Sequence, residues 1–92
     1  MFKMADDTQN KQAMKEAVDI LNLIISTNST PKTIKKSITD VVADLVKEEY
    51  SLSVRAANTI SLLDDVTQDP NMPSYVRTQL WQAVSKLESI RE

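Results

Sequence analysis

Apolar residues recur every three or four positions along the whole chain and never at a sustained spacing of two, so the pattern predicts helices and no strands. Across residues 7 to about 26, Met14, Ala17, Val18, Leu21, Ile24 and Ile25 fall on one helical stripe. Asp6, Asp7 or Thr8 suits the start of this helix, where a side-chain oxygen caps and an acid complements the helix dipole. Thr27, Asn28, Ser29 and Thr30 break the stripe. Thr30 then reads as a cap and Pro31 as a first-turn proline, whose missing N–H costs nothing there. A second helix runs from Pro31 to about residue 47 with Ile34, Ile38, Val41, Val42 and Leu45 on one side. The break at Glu48, Glu49, Tyr50 and Ser51 is weaker, and Ser51 or Ser53 is positioned to cap a third helix ending near Thr67. Its apolar residues are Ala56, Ala57, Ile60, Leu63 and Val66. The segment Gln68, Asp69, Pro70, Asn71, Met72 is the clearest loop, and Pro73 opens a fourth helix carrying Val76, Leu80, Ala83, Val84, Leu87 and Ile90.

The expected fold is therefore all-α: a four-helix bundle of two antiparallel helix hairpins, approximately 7–47 and 51–91, within one domain spanning 1–92. The hairpins resemble each other. Pro31 and Pro73 stand 42 positions apart, and sliding the chain by 42 superimposes the stripes without a gap. Leu21 meets Leu63, Ile24 meets Val66, Ile38 meets Leu80, Val42 meets Val84 and Leu45 meets Leu87. A helix–loop–helix period of this length falls in the range of about 40–47 residues used by HEAT and armadillo units, so the sequence predicts a HEAT-like internal repeat. A single such hairpin cannot bury its own apolar stripe. Two can close on each other, or leave an outer face that a homodimer would cover.

Composition narrows the chemistry. The 92 residues contain no glycine, no cysteine and no histidine, and the net charge is −2. Cysteine ligands, thiolate nucleophiles and disulfides are excluded, as are histidine bases and histidine metal ligands. Glycine-rich phosphate loops are excluded too. Aromatic residues are few, so the core is aliphatic. No apolar run approaches the ~20 residues of a membrane span, and the N-terminal stretch lacks the apolar core of a signal peptide. A cytoplasmic protein is expected. No catalytic residue, cofactor or metal ligand set is predicted, and the reading is of a non-enzyme. With no glycine, the turns must close through small polar residues, which makes Asn28 and Asn71 the expected left-handed positions.

Three surfaces merit attention. Asp69, Pro70, Asn71, Met72 and Pro73 form a twice-proline loop, followed by Arg77 and Trp81 four apart on one helical face. Arginine can stack on an indole, and both residue types are favoured at interface hot spots. This is the expected interaction surface, for a protein partner or a second copy of the chain. Asp64, Asp65 and Asp69 with Asn71 gather oxygen ligands that could hold a divalent cation in a regulatory role, although Asp69 also suits a turn before Pro70. Lys32, Lys35 and Lys36 make a small basic patch. With no interleaved aromatic and an acidic chain, a solvated face is its default reading and nucleic acid is not the expected partner.

The motifs from residue 54 onward carry a resemblance. Val54-Arg55-Ala56-Ala57, Leu62-Leu63-Asp64-Asp65, Asp69-Pro70-Asn71-Met72-Pro73, then Arg77, Trp81 and Leu87-Glu88 resemble uncharacterised protein family 0147, small archaeal proteins of unknown function. The resemblance covers nearly the whole chain, the first half by pattern more than by motif. It implies a small helical bundle in an archaeal cytoplasm and implies no reaction, ligand or partner. Asp69 through Pro73, Arg77 and Trp81 are its family-type residues here.

Overall fold

Helix α1 spans Phe2–Ser26, α2 Lys32–Leu45, α3 Leu52–Thr67 and α4 Ser74–Glu88 in the computed structural model. The structure describes residues 2–47 and 49–90, with side chains from residue 8 onward except at 48. Short loops reverse the chain between consecutive helices. Each helix packs on its sequence neighbours, and α1 and α4 close the ring with the most extensive contact of all. Helices α1 and α3 also approach across one diagonal, whereas α2 and α4 do not approach across the other. The molecule is a rod of 45 × 22 × 21 Å. Its length fits α1, whose 25 residues rise about 37 Å. No described helix is long and apolar enough to cross a membrane.

The core runs down the middle of this rod and is aliphatic. Leu21 and Ile24 from α1, Ile34, Ile38 and Leu45 from α2, Leu63 from α3, and Val76, Leu80 and Leu87 from α4 are fully buried. Each contributes roughly 1.5–3 kcal/mol through burial. The stripes expected on α1, α2 and α4 are the buried faces. On α3 the face is rotated: Thr59 is 1% exposed, while Ala57 is exposed and Ile60 only half-buried. The buried series on α3 is thus Ala56, Thr59 and Leu63, a spacing of three then four that periodicity permits but an apolar count skips.

Three helix ends differ from expectation. First, α1 begins at Phe2, so Asp6, Asp7 and Thr8 lie within the helix rather than capping it. Second, Pro31 is itself the N-cap of α2, at φ −57°, ψ 145°, and Pro73 is the N-cap of α4, at φ −63°, ψ 148°. The proline ring fixes φ near −65°, and each carbonyl takes the first helical bond, from Lys35 N at 2.9 Å and Arg77 N at 3.1 Å. Thr30 therefore does not cap α2. Its buried hydroxyl turns back and donates to Ile24 O at 2.9 Å. Third, α2 ends at Leu45, two residues early. Ser51 does cap α3, accepting from Val54 N at 3.4 Å.

The absence of glycine has a specific structural answer. No described residue has positive φ, so neither Asn28 nor Asn71 is left-handed. The residues after α2, α3 and α4 (Val46, Gln68 and Ser89) all keep right-handed geometry. The orphan carbonyls of a helix end are met instead by hydroxyls, by tight-turn N–H groups and by arginine. Thr27 Oγ1 donates to Leu23 O at 2.8 Å, Thr67 Oγ1 to Asp64 O at 2.7 Å, and Ser89 Oγ to Lys86 O at 2.6 Å. The backbone bonds of the two proline loops fall at matching places 42 residues apart. Thr27 N donates to Ile24 O at 3.2 Å and Asp69 N to Val66 O at 3.1 Å. Thr30 N donates to Thr27 O, and Met72 N to Asp69 O, both at 3.1 Å.

Candidate functional site

The residues singled out in the sequence divide into a buried corner and an exposed helix surface. Asp69 Oδ1 accepts from Asn71 N at 2.8 Å, a local turn in which the side chain replaces a backbone acceptor. Met72 turns inward and is buried, and Pro73 caps α4. Arg77 is half-buried, and its Nε donates to Thr67 O at 3.3 Å, the last carbonyl of α3. A cation at a helix C-terminus is favoured by the dipole as well as by the bond. Asp69, Met72, Pro73 and Arg77 thus lock the approach of α3 to α4, leaving Pro70 and Asn71 exposed on the loop.

Trp81 is different. It stands two turns into α4 and is 59% exposed, the largest such value among the exposed apolar residues. The core line of α4 is supplied by Val76, Leu80, Ala83 and Leu87, so the bundle does not need the indole. Arg77 commits its guanidinium to α3 rather than presenting it to solvent beside Trp81. The expected pair therefore separates into a structural arginine and an exposed tryptophan.

One participant escaped the periodicity argument. Tyr75 OH donates to Ser29 Oγ, joining the start of α4 to the loop between α1 and α2. This bond ties the two proline corners together at one end of the rod. Tyr75 lies off the apolar stripe, and only its position two residues after Pro73 hinted at a corner role.

The other candidates are dispersed. Asp64 and Asp65 are exposed, and the Asp69 carboxylate is engaged in its own turn. No group of three acids able to hold a metal converges among the described residues. Lys32 and Lys36 are exposed on the first turns of α2, with Lys35 half-buried between them. Elsewhere, Glu16 joins α1 to α4 through Lys86 Nζ at 3.1 Å. The Gln12 amide, donating at 3.1 Å, and then the Lys86 ammonium hold the Glu16 carboxyl below its ordinary value.

The arrangement has counterparts. The family model described as "Uncharacterised protein family (UPF0147)" matches residues 1–90. A UPF0147 protein of Sulfurisphaera tokodaii is 37% identical over 89 residues, covering 97% of this chain and 100% of that one. One from Aeropyrum pernix is 41% identical over 83 residues, covering 90% and 91%. Among solved structures, a UPF0147 protein from Thermoplasma acidophilum superimposes with a TM-score of 0.83 at 32% identity, covering 91% of this chain and 99% of that one. The unknown-function protein MMP1188 does so with a TM-score of 0.82 at 38% identity, covering 87% and 91%. With a family match over nearly its full length, archaeal relatives of the same size and two crystal structures sharing its fold, this chain belongs to the uncharacterised protein family UPF0147.

Proposed function

We propose that this protein is a non-enzymatic, cytoplasmic protein-interaction module that works as a homodimer through the outer surface of α4, with Trp81 at its centre. The exposure of Trp81 carries the reading. An indole left largely in water on a helix whose core stripe is already complete forgoes burial worth roughly 25 cal/mol per Å2 of apolar surface, which a partner surface would recover. Tryptophan is among the residues most enriched at interface hot spots. A two-fold interface presents the same patch from both copies, so one exposed indole per chain supplies two anchors. A bundle this small has a limited core, and association adds burial it cannot supply alone.

The HEAT-like repeat belongs to the same proposal. We read the chain as a duplicated hairpin, supported by the matching loop hydrogen bonds around Pro31 and Pro73. Two proline corners, no glycine and arginine-closed helix ends suit a stiff scaffold that presents a fixed surface. Sedimentation equilibrium of the wild type and of Trp81→Lys tests the reading. The wild type should weigh twice the 10.3 kDa chain and the variant once, with helicity unchanged. A wild type that stays at the single-chain mass over the accessible concentration range refutes the homodimer.

A further inference from the structure

In a two-fold dimer the surface that receives Trp81 must belong to the same patch of the chain that presents it. Arg77, Trp81 and Glu88 stand four and then seven positions apart, so they share one side of α4. Arg77 bonds to Thr67 O, which identifies that side as the flank facing α3. Along this flank, about 10.5 Å or two turns beyond Trp81, an open groove of about 480 Å3 runs between α3 and α4. Ser53, Ala56 and Ala57 are too small to fill the space where α3 passes Leu87 and Ile90, and Ile60 bounds the end nearer Trp81. The chain's own indole does not fill it, because side chains on a helix lean toward its N-terminus and the groove lies toward the C-terminus of α4.

Size and charge both match an indole. A cavity of about 150 Å3 holds benzene, so the space suffices. Among the described residues of the wall, Glu88 is the only charged group. Its carboxylate accepts hydrogen bonds and donates none, while an indole has a positive edge that carries its one N–H. The area favours a filled pocket over a flat contact. The α3–α4 face extends about 22 Å along the 15 residues of α4 and no wider than the 22 Å rod, roughly 500 Å2 in projection. A standard interface takes about 800 Å2 from each partner, so a contact this small needs an anchor seated in a pocket. We propose that the groove receives Trp81 of a second copy, with the indole N–H donating to Glu88, in a symmetric exchange that rests on the homodimer reading above and names its contact. A two-fold axis level with Val84 and Ser85, midway between Trp81 and Glu88, crosses the two α4 helices antiparallel and delivers each indole to the other copy's groove. Val84 is half-buried and Ser85 is small, so the helices can approach there.

An equal mixture of isotope-labelled and unlabelled full-length protein tests this by isotope-filtered NOE spectroscopy, with sedimentation equilibrium on the same sample. The mass should double, and the Trp81 indole protons of one copy should contact the Ala57 and Ile60 methyl groups of the other. A single-chain mass removes the homodimer and the exchange together. A doubled mass with no indole contact to those methyl groups overturns the exchange alone. Ala57→Phe fills the groove from an exposed position and leaves Trp81 in place. It should weaken self-association by about tenfold or more and keep the Trp81 emission water-like, with helicity unchanged. Equal association in a folded Ala57→Phe also overturns the proposal, and the NOE measurement decides the matter if that variant does not fold.

Discussion

Arg77 reaches back ten positions to Thr67, its Nε donating at 3.3 Å to the last carbonyl of the preceding helix. Arg55 does the same for Leu45 across the previous turn, also ten positions back. Each arginine lies in the first turns of its own helix and closes the end of the one before. A half-buried charged donor on a helix C-terminus is worth about 1.5–2 kcal/mol, the lower part of the charged hydrogen-bond range. Arg77→Ala should therefore lower the unfolding free energy by that amount, read as a lower urea midpoint with the slope unchanged, and Arg77→Lys should recover part of the loss. A midpoint identical to wild type would show that the bond is not formed in solution.

Thr30 offers a second test of how the helix ends are closed. Its buried hydroxyl donates to Ile24 O, a carbonyl that also accepts from Thr27 N. Thr30→Val keeps the shape and removes only the donor, so it should cost about 1 kcal/mol, a typical net hydrogen bond. A gain in stability would place the hydroxyl among the groups the fold tolerates rather than uses.

The register of α3 can be read from neighbouring alanines. Ala56 is buried and Ala57 exposed. Ala57→Lys should change stability by less than about 0.5 kcal/mol, as surface substitutions do. Ala56→Lys places an unpaired ammonium in the core and should unfold the domain or nearly so. Equal tolerance of both would contradict the rotated face described above.

These residues show what could be read in advance. The four helices and the buried faces of α1, α2 and α4 follow from aliphatic spacing, because burial of Leu, Ile and Val dominates the energetics. Thr59 was invisible to that count, since a threonine enters a core only when its surroundings accept the hydroxyl. The turns were misread for a related reason. Asn28 and Asn71 are the usual substitutes for glycine, but here hydroxyls and long arginines reach the orphan carbonyls, and those partners lie up to ten residues away. The Asp69, Pro70, Asn71, Met72, Pro73 segment was legible as a motif. That Asp69, Met72 and Pro73 are spent on holding α3 to α4, and that Trp81 faces water while Arg77 does not, required the three-dimensional arrangement.

Electrostatics link α1 to α4 through Glu16. Its carboxyl is held below the ordinary value by Gln12 and by Lys86. A depressed carboxyl stabilises the fold above its unfolded value, and that contribution disappears as pH falls through the lower folded value. Removing the ammonium with Lys86→Ala should raise the Glu16 titration midpoint measured by carboxyl NMR. Glu16→Gln should flatten the acid limb of the stability curve. An unchanged midpoint in Lys86→Ala would mean that the exposed pair is dissolved by solvent, as many surface pairs are.

The emission spectrum of Trp81 against protein concentration bears most directly on the interaction surface, because the chain has one tryptophan and every photon from indole reports on it. The homodimer predicts a water-like spectrum at high dilution that shifts to the blue as concentration rises, tracking the doubling of mass. A spectrum that stays water-like at every concentration, while the mass stays at or reaches any value, would contradict the claim that Trp81 lies at the contact.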